Sequence, residues 1–158
     1  MFSQIEGQSV LDLGSGAGVS LALAKVFNPD LTVLGLEGDN DVLEVSEQRG
    51  ISTRSGDIYS APFDDGEFDT VWSSHVLEHL EKPTAAISES WRVAKKRIIH
   101  SVPVGDVDDK NLGSKHLHIF NRKNFTELFL DACPGSTSMK ITYIEDTYMS
   151  SFVMVVDK

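Results

Sequence analysis

The chain has 158 residues, a length that suits one domain with a hydrophobic core of ordinary size. Its 24 Asp and Glu outnumber its 14 Lys and Arg, so the formal net charge is −10, the opposite of the balance typical of nucleic-acid-binding domains. The single cysteine, Cys133, excludes an internal disulfide, and no apolar run approaches the roughly 20 residues that cross a bilayer. We therefore expect one cytoplasmic domain over residues 1–158 that binds small molecules or proteins rather than nucleic acid or membranes.

Strand and helix patterns alternate in the first third of the chain. Val10–Leu13 predicts a short buried strand, and the helical spacing of the apolar residues that follow predicts a helix ended by "NPD". That apolar stripe consists of Val19, Ala22, Leu23, Val26 and Phe27. Leu31–Leu36 predicts a second buried strand, which is followed by a helix ending at Gly50 and a weaker strand at Ile51–Ser55.

The same alternation continues through the middle of the chain. Phe68–Ser73 predicts the fourth strand, and Pro83–Ala94 a helix with its apolar residues on one face. "RIIHSVP" predicts the fifth strand, so the basic residues before it mark a helix end entering a strand rather than a nucleic-acid patch. A further helix around Phe125–Ala132 is stopped by Pro134-Gly135. The alternation indicates an α/β layer fold.

The last two apolar runs behave differently from the others. Only a short turn separates Lys140–Ile144 from Phe152–Val156, which is too little chain for a helical crossover. These runs are therefore expected to form an antiparallel hairpin at the end of an otherwise parallel sheet.

A glycine-rich turn follows the first strand in "VLDLGSGAG". Glycines at positions 14, 16 and 18 tolerate positive φ and let a ligand approach the backbone, and the next helix offers free N–H groups to an anion. A dinucleotide fingerprint G-x-G-x-x-G would place its third glycine at position 19, which is Val19. The sequence contains no P-loop motif either.

The spacing from Asp12 to Gly18 resembles motif I of the class I S-adenosylmethionine-dependent methyltransferases. "LTVLGLEGD" is similar to the second strand of that family, and "SGDIYSAPFDDGEFDTVWSSHVLEHL" to its adenine-binding acid, fourth strand and following turn in the small-molecule branch called type 11. The resemblance implies an α/β, Rossmann-like, doubly wound sheet of seven strands, in the order 3-2-1-4-5-7-6 with strand 7 antiparallel.

The resemblance also implies S-adenosylmethionine as the cofactor and assigns residues to it. Asp12 is expected to pair with its ammonium group, Glu37 to accept from both ribose hydroxyls, and Asp57, beside the Ile58 N–H, to accept from the adenine amino group. The full set of expected cofactor-binding residues is Asp12, Gly14, Ser15, Gly16, Gly18, Glu37, Gly38, Asp57, Ile58 and Ser74. The alternative is that Glu37 and Asp57 only cap helices or turns.

The segment "HVLEH" also matches H-x-x-E-H, a zinc-protease signature that is carried on a helix. On a helix, His75, Glu78 and His79 would share one face. The segment directly follows a buried strand, however, Pro83 comes soon after it, and no downstream third ligand is obvious. We therefore expect no metal at His75 and His79, and interpret His79 as a residue that caps or packs at a turn.

Two missing motifs narrow the implied reaction. The position of a [DN]-P-P-[YFW] turn, typical of methylation at base or amide nitrogens, reads Ser73-Ser74-His75-Val76. A Pro-Cys nucleophile for pyrimidine carbon-5 methylation is also missing, because Cys133 precedes a proline. The expected reaction is therefore O-, N-, S- or C-methylation of a small-molecule acceptor, for which alignment matters most and a general base helps.

The candidate catalytic residues are His75 and His116. In an extended chain His116 and His118 would point the same way, and we expect His116 to face the acceptor and His118 to be structural. His100, inside the fifth strand, is interpreted as a core histidine.

Only nine residues precede the first strand, so the helical N-terminal lid of the family is expected to be largely absent. The long polar loop Val104–Ile119 is then expected to act as a mobile lid, with Gly105 and Gly113 as hinges and Lys115 beside the acceptor. A homodimer or a partner subunit is the other source of a lid. A cofactor-binding but inactive subunit that works through a partner is the alternative to an active enzyme.

Overall fold

The computed structural model describes residues 2–104, 116–145 and 150–158. In chain order the elements are β1 (Ser9–Leu13), α1 (Val19–Phe27), β2 (Thr32–Glu37), α2 (Asn40–Gln48), β3 (Thr53–Ser55), β4 (Phe68–Ser74), α3 (Pro83–Val93), β5 (Ala94–Pro103), α4 (Arg122–Ala132), β6 (Ser138–Ile144) and β7 (Ser151–Asp157). These bounds agree with the predicted elements to within a few residues. In the described ranges, no helix combines the length and apolar character that spanning a membrane requires.

The seven strands form one sheet in the order β3-β2-β1-β4-β5-β7-β6. β1 pairs in parallel with β2 and β4, whereas β7 is antiparallel to both β5 and β6. The predicted strand order and terminal hairpin are confirmed. Because the chain turns from β1 toward β2 on one side and reaches β4 on the other, a crevice opens beyond the carboxyl ends of β1 and β4, where such sheets bind ligands.

The core lies on both faces of the sheet because β-strand side chains alternate between faces. On β4, Val71 belongs to the face covered by α3 and α4, and Trp72 to the face covered by α1. The first face carries a run of aromatic contacts, in which Phe125 of α4 stacks over Phe152 of β7. This face is the larger of the two hydrophobic clusters, so α4 and β7 depend on each other for burial.

α1 begins and ends where the sequence predicts, but it presents a different face to the sheet. Leu21 and Ala24 are its buried residues. Most of the apolar stripe that predicts the helix is exposed, with Val26 at 74% and Phe27 at 72%. The helix is apolar on both sides, so periodicity predicts its existence without showing which side is inward.

The H-x-x-E-H segment does not form the helix that a zinc protease requires. His75 has a φ of 57°, in the left-handed region, and only Leu77–His79 forms a short 3₁₀ turn. A left-handed residue breaks helical spacing, so His75 and His79 do not share a helix face. Within the described ranges, His75 is the one non-glycine residue with positive φ, a strained conformation that is common at functional sites.

Candidate functional site

A cleft of about 190 Å³ lies at the carboxyl edge of the sheet, in the crevice beside β1 and β4. The predicted residues that line it are Gly14, Glu37, Gly38 and Ile58. Val76 and Leu80, from the segment after β4, form the opposite wall. A larger hollow of about 530 Å³ near Phe2 and Phe27 contains none of the predicted site residues, so its size does not mark it as the site.

The glycine turn joins this cleft to the start of α1. Gly14, Gly16 and Gly18 all have positive φ, which agrees with the predicted need for glycine. At position 14 a side chain is also excluded by lack of space, because a Cβ there would lie 2.7 Å from Val76 Cγ2. A Cβ on Gly16 would meet nothing within 4 Å. The open backbone at Gly16, next to the N-terminus of α1, is therefore the place where a ligand can approach closely.

Glu37 holds the glycine turn and the start of α2 together. Its Oε2 accepts a hydrogen bond from the Gly16 N–H at 2.8 Å. Its Oε1 accepts from the N–H groups of Gly38 at 2.8 Å and Asp39 at 3.0 Å. A carboxylate offers about four acceptor positions, so capacity for a further donor remains. The sequence predicts that Glu37 either contacts a ligand or caps a helix. It does not predict the hydrogen bond from the Gly16 N–H to Glu37.

Asp12 lies beneath the turn and is only 2% exposed. Burial does most to raise the pKa of Asp12, the Trp72 side chain lowers it and the nearby negative charge of Glu37 raises it, which together give a pKa of about 7. A cation close to a buried carboxyl group favours its charged form.

Asp57 and Ile58 follow β3 at the other end of the cleft. The Oδ1 of Asp57 accepts from the Tyr59 N–H at 2.9 Å, so Asp57 does form a turn, as the alternative interpretation has it. Ile58 lines the cleft, and the exposed Asp57 stands next to it. The buried Ser15 Oγ, on the glycine turn, has no hydrogen-bond partner in the described ranges. These groups line or border the two ends of the cleft.

The other side of the crevice begins at the end of β4. The His75 N–H donates to Ser101 O at 3.0 Å, and Ser74 Oγ lies 2.9 Å from Ser101 Oγ, which ties this turn to β5. His75 Nε2 lies 3.4 Å from Ser151 Oγ of β7. Burial, followed by the neighbouring His116 and His79, lowers the pKa of His75. The imidazole is therefore neutral near pH 7 and able to accept a proton.

The remaining histidines lie in different surroundings. His116 lies against His79, with ring centroids 4.7 Å apart, and close enough to His75 to affect its titration. His118 Nε2 is 2.8 Å from Leu80 O and its ring stacks on Phe120, so it supports the fold. His100 is buried in the core, where Ser73 Oγ contacts its Nδ1 at 2.7 Å and burial lowers its pKa to about 3.

Most of the predicted lid lies outside the described residues. Residues 105–115, which include Gly105, Gly113 and Lys115, lie in a range that the structure does not describe. Val104 and the segment from His116 to Ile119 flank that range. The lid hypothesis therefore stays a prediction.

Comparison with known proteins supplies a family for this site. A family model described as a methyltransferase domain matches residues 11–99, more than half of the chain. Malonyl-[acyl-carrier protein] O-methyltransferase of Herminiimonas arsenicoxydans is 35% identical over 91 residues, which are 58% of this chain and 35% of that protein. Demethylmenaquinone methyltransferase of Staphylococcus carnosus is 33% identical over 96 residues, 57% of this chain and 40% of that protein. The chain thus spans well under half the length of these relatives.

Solved structures give the same fold. A possible histamine N-methyltransferase from Thermotoga maritima, described as dependent on S-adenosylmethionine, superposes with a TM-score of 0.80. The match covers 99% of this chain and 84% of that one at 17% identity, so the likeness is one of fold.

Proposed function

Because the chain belongs to the class I S-adenosylmethionine-dependent methyltransferases, in the type 11 branch, we propose that it transfers a methyl group to a small-molecule acceptor. The observation that carries the proposal is the glycine turn with Glu37 beneath it, open at Gly16 and continuous with the cleft. The relatives are named for methylation of malonyl-[acyl-carrier protein] and demethylmenaquinone, which supports an organic acceptor. Because these relatives are enzymes, they do not support the alternative of an inactive subunit.

In this proposal the residues around the first three strands hold the cofactor. Asp12 takes its ammonium group, and the glycine turn with Ser15 receives its amino-acid end. Glu37 and Gly38 bind the ribose, whereas Asp57 and Ile58 recognise the adenine. Once bound, S-adenosylmethionine supplies an electrophilic methyl group on a positively charged sulfur. The chain's main contribution to the reaction is alignment, since transfer from a sulfonium needs no covalent help from the protein.

The acceptor is proposed to bind on the β4 side of the crevice. Ser74 ends β4 at the border between the two halves of the site, and His75 follows it with a neutral imidazole. In this proposal His75 takes the proton that an acceptor hydroxyl or amine loses, and His116 lies close to His75. A lid from residues 104–119, or from a second subunit, would then exclude water from this space.

Calorimetry with the full chain tests the cofactor assignment directly. S-adenosylmethionine and its demethylated product should each bind saturably, and NAD should give no binding heat, because the turn lacks the third glycine of a dinucleotide site. Tighter binding of NAD, or no binding of either sulfur compound, would overturn the proposal.

Glu37→Gln sharpens that test at one residue. The variant keeps the shape of the side chain but loses a negative oxygen that accepts from the backbone, and ribose hydroxyls are left poorly paired. We expect a loss of about 1–3 kcal/mol in cofactor affinity, measured as the dissociation constant. Glu47→Gln, at an exposed position on α2, is the matched control and should leave the dissociation constant unchanged. Equal constants for Glu37→Gln and the unmodified chain would mean that Glu37 acts only as a cap.

A further inference from the structure

Three side chains of types that bind metals lie close together beside the crevice. The proposed methyl transfer does not require this cluster. Glu78, His79 and His116 each offer one ligand atom, and these atoms all lie within 4.8 Å of one another. Glu78 Oε1 is 3.9 Å from His79 Nε2. The three residues come from the 3₁₀ turn after β4 and from the segment before α4, so the fold rather than local sequence brings them together.

The backbone holds these two segments against each other. Glu78 O accepts hydrogen bonds from Leu117 N at 2.7 Å and from His118 N at 3.2 Å. The His118 side chain adds a second link through Leu80 O. His116 is thus anchored by the two residues that follow it, and its position against His79 is part of the fold.

One oxygen of the Glu78 carboxylate is buried without a partner. Glu78 is 1% exposed, and its Oε2 has no hydrogen-bond partner in the described ranges. Its Oε1 is 3.8 Å from His75 Nδ1 and 3.9 Å from His79 Nε2, distances too long for hydrogen bonds to these rings. A buried carboxylate oxygen without a partner is costly, and a cation between the carboxylate and the imidazoles would reduce that cost.

We propose that Glu78, His79 and His116 bind one divalent transition-metal cation, and that Zn²⁺ matches the ligand types best. Two imidazoles and one carboxylate form the ligand set of many catalytic zinc sites, which keep a fourth position open. Mg²⁺ and Ca²⁺ are poor matches, because they prefer ligand sets made of oxygen. Ligand atoms around a tetrahedral zinc lie about 3.4 Å apart. The distances between the three ligand atoms, which are now up to 4.8 Å, would therefore shorten by roughly 1 Å when the metal binds.

This proposal departs from the sequence-based expectation that no metal binds here. That expectation considers His75 and His79 as two metal ligands on a protease helix, with no third ligand later in the sequence. In the structure His75 has a left-handed backbone and is not one of the three clustered ligands. The second histidine of the cluster is His116, which lies 37 positions after His79. The metal site therefore has no protease geometry.

The cation would stand at the wall of the crevice. Val76 and Leu80, which line the cleft, flank Glu78 and His79 on the same turn. An open coordination position here would hold an oxygen or nitrogen of the acceptor near the transferred methyl group. That use of the metal depends on the proposed function, whereas metal binding itself does not.

Metal titration of the full chain tests the proposal. After treatment with a chelator, the chain should bind one equivalent of Zn²⁺ by calorimetry, and one equivalent of Co²⁺ should give the visible absorption bands of a low-coordinate site with nitrogen ligands. His116→Gln and Glu78→Gln should each weaken Zn²⁺ binding by more than about 100-fold, beyond what the loss of an outer-shell partner costs. Glu81→Gln, at an exposed position on the same turn, is the matched control and should change nothing. Absence of stoichiometric binding, or equal affinities for His116→Gln and the unmodified chain, would overturn the proposal.

A second measurement avoids any variant that folds poorly. In the unmodified chain, Zn²⁺ should shift the ring proton resonances of His79 and His116 and leave those of the buried His100 in place. Shifts confined to other histidines would overturn the proposal. S-adenosylmethionine binding by Glu81→Gln, measured in parallel, should equal that of the unmodified chain. If the cofactor fails to bind either protein while zinc binds, the proposed function fails and the metal site stands.

Discussion

Two glutamates stand at the same edge of the sheet in opposite surroundings. Glu37 belongs to the region proposed to bind the methyl donor, residues 12–18, 37–38 and 57–58 (the donor region), and three backbone N–H groups donate to its carboxylate. Glu78 belongs to the region proposed to bind the acceptor, residues 74–80 and 116–118 (the acceptor region), and its buried Oε2 has no hydrogen-bond partner in the described ranges. Both carboxylate oxygens of Glu37 are thus paired with backbone groups, whereas one carboxylate oxygen of Glu78 is left unpaired.

The largest effect is expected from Asp12→Asn, because Asp12 is the buried carboxyl group of the donor region. Its pKa is about 7 in the folded protein against 3.8 ordinarily, so the folded state keeps a proton that the unfolded chain releases between these values. The stability that this Asp12 proton contributes is therefore fully present below about pH 4, falls as the pH rises to about 7, and is absent above it. Asn removes this fall, and we expect up to about 4 kcal/mol of added stability at pH 8.

Urea denaturation at pH 5 and pH 8 measures this effect, and Asp69→Asn is its control. Asp69 accepts from the Gln8 N–H at 2.8 Å and pairs with Lys96 at 3.1 Å, and the first of these contacts does most to lower its pKa. Its contribution to stability is present above its unfolded pKa and is lost as the pH falls through its folded pKa, so the control should destabilise the protein at pH 8. Equal pH dependence in Asp12→Asn and the unmodified chain would contradict the pKa of about 7.

A pair of glycine substitutions tests whether the two regions are mechanically joined. Gly14→Ala forces a Cβ within 2.7 Å of Val76 at a φ of 77°, so we expect a loss of about 3 kcal/mol in stability. Gly16→Ala has a φ of 52° and open space around its Cβ, so about 1 kcal/mol is expected. Cofactor affinity should fall in Gly16→Ala, because the methyl group occupies the approach of the ligand. Similar unfolding free energies for the two variants would show that Gly14 does not couple the regions.

The smallest effect is expected from Asn121→Ala, which weakens the support of the acceptor region. The Asn121 side chain accepts from the N–H groups of Lys123 and Asn124, and Asn124 returns a capping-box bond. Loss of this cap should cost about 1 kcal/mol of stability and leave cofactor affinity unchanged, since the Asn121 side chain bonds to the start of α4 and not to the donor region. Thr126→Ala, at a half-buried position on α4, is the control. A weaker cofactor affinity in Asn121→Ala would contradict this expectation.

The sequence predicts much of the donor region because its residues are close in the chain or at strand ends. The glycine turn, the acid that ends β2 and the strand order all follow from local patterns and the family resemblance. The link between Glu37 and Gly16 joins residues 21 positions apart and has no separate signal in the sequence. The spacing of apolar residues also could not show which face of α1 is buried, because the exposed Val26 and Phe27 are as apolar as the residues that the helix buries.

The acceptor region is harder to predict for a different physical reason. His79 contacts His116 where backbone hydrogen bonds from Leu117 and His118 to Glu78 join two segments that are far apart in the sequence. His75 leaves the helical spacing of H-x-x-E-H because its backbone is left-handed, which residue types do not indicate. The H-x-x-E-H motif can be found in the sequence, but the positions of its side chains depend on how the whole chain folds.

The position of β7 has a consequence for the order in which the chain acquires structure. During synthesis β6 leaves the ribosome before β7, yet in the finished sheet β7 lies between β5 and β6. Until residues 151–157 emerge, β5 keeps an open edge and Phe125 lacks the ring of Phe152. An open edge is where nascent chains pair wrongly. Strands β1–β4 can be in place while the ribosome still holds the strand that completes the sheet.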